Sequence, residues 1–128
     1  MRGDAMGVGM PATLKLHRFG ELVWDVFGTI PYQVGSSLGS KDQPWRDVDV
    51  RVILSDEEYA KWFPSCEPYD PHRCDKWCGL VLAFSALGQQ MTGLPIDFQI
   101  DQQTYANEHH NGHRSALGIM EHRITKQA

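Results

Sequence analysis

No apolar run in this chain approaches the roughly 20 residues that cross a bilayer, so the sequence predicts no membrane association. Met1 to Met10 is rich in Gly and Met but lacks the apolar centre of a signal peptide, and residues 1–11 read as a flexible N-terminal tail. Cysteine is scarce: there are three, an odd number, and no Cys-x-x-Cys pair. That argues against a disulfide framework and points to a reducing, cytoplasmic setting. Excess positive charge is also missing. With 12 Lys and Arg against 16 Asp and Glu, the net charge is −4, which disfavours tight non-specific binding to nucleic acid. There is no internal repeat and no sign of a second domain. What remains is ordinary for a globular chain: 128 residues, 41% of them hydrophobic, enough for one modest core over residues 12–128.

Periodicity orders the chain as helix, strand, turn, strand, helix, helix, strand, helix. Over 12–27, Leu16, Phe19, Leu22, Val23, Val26 and Phe27 form one helical stripe that Gly28 ends. Ile30, Tyr32 and Val34 alternate in a short strand. Residues 37–44 are loop, and 47–54 form a central strand. Ser55 caps a short acidic-first helix that stops before Pro64. Asp70-Pro71 reads as the start of the longest helix, with Trp77, Leu80, Val81, Phe84, Leu87 and Met91 inward and Thr92-Gly93 closing it. A strand follows at 95–100. The polar stretch 102–112 reads as loop, and 113–123 as a final short helix. This predicts an α+β two-layer fold: a small mixed sheet with helices on one face and outward side chains on the other.

The chemistry gathers on that other face. Alternation along 47–54 sends Val48, Val50, Val52 and Leu54 inward and leaves Asp47, Asp49 and Arg51 outward. In the later strand Ile96, Phe98 and Ile100 face in, while Asp97, Gln99 and Asp101 face out. Carboxylates crowded on one face repel unless a cation lies between them, and magnesium prefers oxygen ligands shared with phosphates. Upstream stands the small-residue turn Gly35-Ser36-Ser37, whose bare N–H groups and hydroxyls suit phosphate oxygens. Lys41 and Arg46 are the nearest basic residues. They are either solvated loop or contacts for a triphosphate. Trp45 beside them either packs the loop down or stacks on a base.

Val34-Gly35-Ser36, the spacer Ser37 to Arg46, and Asp47-Val48-Asp49-Val50 resemble the signature of the nucleotidyltransferase superfamily of DNA polymerase beta and the minimal nucleotidyltransferases. The resemblance covers roughly residues 12 to 101. It implies the minimal nucleotidyltransferase core, with Asp47, Asp49 and Asp97 as catalytic carboxylates holding two Mg2+ ions, or Mn2+. Gly35, Ser36, Ser37, Lys41 and Arg46 would hold the nucleoside triphosphate. Ser37-Leu38-Gly39 stands where many members carry a basic residue and then Gly. The implied reaction moves a nucleoside monophosphate onto a hydroxyl of RNA such as tRNA, of a protein or of a small molecule, and releases pyrophosphate. The small size implies that the acceptor site comes from a homodimer, a partner protein or the C-terminal segment.

Other readings stand beside it. A domain of the same fold can bind a nucleotide, RNA or a partner without catalysis. Cys66, Cys74, Cys78 and a histidine can stabilise a small interaction domain with zinc, although their spacing fits no standard motif. His109, His110 and His113 read as a solvated loop or as phosphate contacts. Asp101 competes with Asp97 for the third carboxylate role, or is an exposed strand end.

Overall fold

Among the described residues four strands, β1 (Pro31–Val34), β2 (Val48–Leu54), β3 (Ile96–Gln102) and β4 (Arg114–Ala116), form one mixed sheet in the order β3-β2-β1-β4, and the two longest helices cover one of its faces. The computed structural model describes residues 10–35 and 47–118. The chain runs α1 (Met10–Phe27), β1 (Pro31–Val34), β2 (Val48–Leu54), α2 (Asp56–Trp62), a 3-10 turn (Pro71–Arg73), α3 (Asp75–Thr92), β3 (Ile96–Gln102), α4 (Gln103–His109) and β4 (Arg114–Ala116). β2 pairs parallel with β3, and β1 pairs antiparallel with both β2 and β4. The α+β mixed-sheet expectation holds.

The apolar alternation of β2 and β3 meets the stripes of α1 and α3 in one core. Leu16, Phe19, Val23, Val50, Val52, Phe98 and Ile100 are fully buried there. Phe98 lies at its centre, its ring 5.3 Å from that of Phe84 and 6.3 Å from that of Phe19. Leu22 and Val26, expected in the α1 stripe, lie at its margin and are exposed; the buried line steps Leu16, Phe19, Val23, Phe27. α1 also begins at Met10, so residues 10 and 11 are helical rather than tail. A proline is tolerated in a first helical turn, where its missing N–H costs nothing. Near its middle α1 crosses the end of β4 closely: a Cβ on Gly20 would lie 2.6 Å from that of Leu117. The Gly118 amide donates to His17 Nδ1 at 2.9 Å at the same crossing.

β3 is an edge strand, and α3 runs antiparallel beside it. The Phe98 amide donates to Ser85 Oγ at 2.9 Å. The Ile100 carbonyl accepts from the Trp77 indole at 2.9 Å, and the Ile96 carbonyl accepts from Gln89 Nε2 at 3.4 Å. Side chains of one helix thus satisfy the backbone groups that an open edge leaves exposed.

Four expectations need correction. Asp70-Pro71 opens a 3-10 turn; α3 itself starts at Asp75, and Asp70 makes no side-chain cap but pairs with Arg73 Nε at 3.1 Å. The polar stretch after β3 is not loop but α4, whose first turn is held by Asp56. The Asp56 carboxylate accepts the Thr104 amide at 3.0 Å and the Thr104 hydroxyl, bonds that hold its pKa below the ordinary carboxylate value. The expected helix from His113 gives way to β4, with residues 119–123 outside the described residues. Finally, a disulfide joins Cys66 to Cys74 and removes two thiolates from the zinc set; Cys78 stays free, its thiol donating to the His72 carbonyl at 3.3 Å. No described helix is long and apolar enough to cross a membrane.

Candidate functional site

The register of the sheet decides which carboxylates meet. Asp49 lies directly beside Asp97 across the parallel pair and beside Val34 across the antiparallel one. Adjacent strands are about 4.8 Å apart, so the two carboxylates are neighbours on one face. Asp47 is exposed just before β2, and its charge also reaches Asp49. Burial raises the Asp49 pKa from its ordinary value. The neighbouring charges of Asp97 and then Asp47 add to that rise, and Arg51 opposes it. The Asp97 carboxylate accepts from Gln99 Nε2 at 3.0 Å, which fixes its orientation.

Gly35 ends β1 with φ of +80°, a left-handed turn that glycine adopts without strain. A Cβ there would lie 2.5 Å from Asp49 Oδ2. The Gly35 backbone therefore rests against the carboxylate, and the missing side chain is what allows it. Ser36, Ser37, Lys41, Trp45 and Arg46 lie outside the described residues.

A cleft of about 480 Å³ opens over this corner. Gly35, Asp49 and Arg51 line one side; His109, His110 and His113 line the other. The histidine cluster, expected as solvated loop or phosphate contact, is a wall of the same cleft. α4 and β4 put it there, because β4 pairs with β1 and returns the 109–113 segment over the end of β2. Burial, and then the Arg51 charge, lower the His110 pKa, so its ring is neutral at neutral pH. The order of strands is a long-range fact, and no local pattern in 109–113 announces it.

Neither a protein-family model, nor a curated protein, nor a solved structure matches this chain.

Arg51 and Asp101 complete the face in an unexpected way. Alternation turns Asp101 outward, but it is buried, not an exposed strand end, because α4 and the segment around Tyr69 roof that part of the sheet. Its carboxylate accepts from Arg51 Nη1 at 2.5 Å in a pair almost closed to solvent. Arg51 is thus committed to Asp101 rather than to Asp49, and its Nε, also buried, has no hydrogen-bond partner among the described residues. Asp101 is consequently occupied, which leaves Asp97 as the open carboxylate of β3. Among the described residues no three His, Cys, Asp or Glu side chains already converge on one metal position. Asp97 and Asp47 each act electrostatically on Asp49, and carboxylate oxygens are the hard donors that magnesium or manganese take.

Proposed function

We propose that the protein is a metal-dependent nucleotidyltransferase that transfers a nucleoside monophosphate from a triphosphate to a hydroxyl acceptor and releases pyrophosphate. The observation that carries this reading is the Gly35 backbone seated against Asp49, with Asp97 beside it in register. Gly35 and Asp49 line one cleft, and the charges of Asp97 and Asp47 act on Asp49 from beside it; bare backbone suits a phosphate, and neighbouring carboxylates suit a cation.

Asp47, Asp49 and Asp97 are the residues that would hold magnesium, or manganese. Bound there, the metal supplies positive charge against the phosphates and the leaving pyrophosphate. Gly35 gives the triphosphate a close approach to the chain, together with Ser36, Ser37, Lys41 and Arg46 in the following segment. Asp97, held by Gln99, accepts the proton of the acceptor hydroxyl. The hydroxyl oxygen then bonds to the α-phosphorus, the bond from that phosphorus to the bridging oxygen breaks, and the electron pair leaves with pyrophosphate. The acceptor is a hydroxyl of RNA, protein or a small molecule, presented by a second copy or a partner chain.

The test is equilibrium binding of each labelled nucleoside triphosphate with magnesium, in the wild type and in Asp49→Asn, followed by mass analysis of protein and tRNA. The expected outcome is magnesium-dependent binding that the substitution weakens at least tenfold, and a mass increase of one nucleotide on an acceptor. Binding that survives Asp49→Asn, with no transfer, points instead to a non-catalytic binding module.

A further inference from the structure

Beside the carboxylate cleft lies a second recess of about 200 Å³. We infer that it is the subsite for one nucleobase, the base of the nucleotide whose phosphates occupy the cleft; the inference rests on the nucleotide reading above.

The two spaces abut, since Arg51 and His110 line both. Their linings differ in kind. The cleft has carboxylate, glycine and histidine; the recess has the rings of Tyr69, Trp77 and Tyr105 around a floor of Gln99 and Asp101. A mononucleotide divides the same way, into an anionic end and a planar heteroaromatic end.

The rings are organised before any ligand arrives. Tyr105 stacks on His109 with centroids 4.5 Å apart and planes 20° from parallel. Tyr69 meets Tyr105 edge-on at 5.1 Å, and the Tyr69 hydroxyl is anchored to Glu108. Across the recess His72 stands edge-on to Trp77 at 5.2 Å. Rings locked in this way lose little freedom when a flat ligand slides against them, which is the condition for strong stacking. Specificity for a base needs in addition a few polar groups at the ring's edge. The Gln99 amide, which lines the recess, supplies a donor and an acceptor. A polymer is a poor fit here: the floor carries Asp101, and a strand of phosphates needs a basic track. One base attached to its own phosphates satisfies both spaces at once.

The experiment splits the ligand in two. The full chain with magnesium is titrated with inorganic tripolyphosphate, with the four nucleosides and with the four nucleoside triphosphates, followed by binding isotherms and by the ring resonances of tyrosine and histidine. Variants are Tyr69→Ala, at a half-exposed side chain, Tyr105→Leu and Asp49→Asn. At least one triphosphate is expected to bind about tenfold more tightly than tripolyphosphate, a typical gain for one stacked base. Tyr69→Ala and Tyr105→Leu are expected to abolish that advantage and leave tripolyphosphate binding unchanged. Should all four triphosphates bind no better than tripolyphosphate, or the ring variants weaken both equally, the subsite is overturned while the nucleotide reading stands. Should no phosphate ligand bind in a manner that depends on Asp49, that reading fails, and the nucleosides decide the recess alone. A nucleoside that shifts the tyrosine rings in wild type but not in Tyr105→Leu upholds it, and the absence of any such shift overturns it.

Discussion

Four influences act on Asp49: partial burial and the charges of Asp97 and Asp47 favour its protonated form, while Arg51 favours the ionised one. The first group wins, so the folded chain holds the Asp49 proton more tightly than the unfolded chain does. Through the window between the ordinary carboxylate value and the raised one, the folded state binds more protons, and stability falls as pH rises. In metal-free buffer Asp49→Asn is therefore expected to unfold at higher urea than wild type at neutral pH. The difference should vanish as pH drops below about 4, where an ordinary carboxylate is itself protonated. Urea midpoints across pH in the presence of a chelator check this. A variant no more stable than wild type at neutral pH would show that Asp49 bears no electrostatic burden. His110 has the opposite sign. Its pKa is lowered, so acidification below about 6.5 protonates it more readily in the unfolded chain and costs stability.

At the scale of elements, α3 holds the edge of the sheet through single side chains. Ser85→Ala leaves the Phe98 amide without its acceptor. The expected cost is about 1–3 kcal/mol, read as a urea midpoint lowered by about 1 M with an unchanged slope. A shift below a tenth of that would mean water replaces the hydroxyl. The elements that periodicity made legible are those with long apolar repeats: α1, β2, α3 and β3. Leu16, Phe19, Val23 and Phe27 recur at helical spacing, and Val48, Val50 and Val52 at strand spacing, so their buried faces could be read directly. α4 could not. It buries only Ala106, and its start is secured by Asp56, far away in the chain. Asp101 shows the same limit from another side: alternation says which face a residue takes, not what later covers that face. The pairing of Cys66 with Cys74 lay equally beyond reach, because an odd cysteine count names no partners.

For the molecule as a whole, the candidate site is a product of strand order. The motif Gly35, Asp47, Asp49 and Asp97 was visible in sequence, and the parallel register of β2 and β3 brings Asp49 beside Asp97. The far wall was not visible, because β4 reaches across the sheet to pair with β1, setting Tyr32 opposite Ala116. The same pairing explains why two spaces of different chemistry share Arg51 and His110: α4 and β4 roof a sheet that β2 and β3 floor.

The place of β4 also has a consequence for how the protein is made. A ribosome delivers α1, β1, β2, α3 and β3 first, so the carboxylate row can form while the histidine wall is still in the exit tunnel. Until Arg114 to Ala116 emerge, β1 has an open side ready to pair with a neighbouring chain. A version ending at His110 is expected to aggregate or to dimerise through β1, with its nucleotide affinity reduced at least tenfold; sedimentation and binding measurements on that truncation check both. A monomer with full affinity would show that β4 and His113 are dispensable. Otherwise the nascent chain becomes competent only once β4 has emerged and paired with β1.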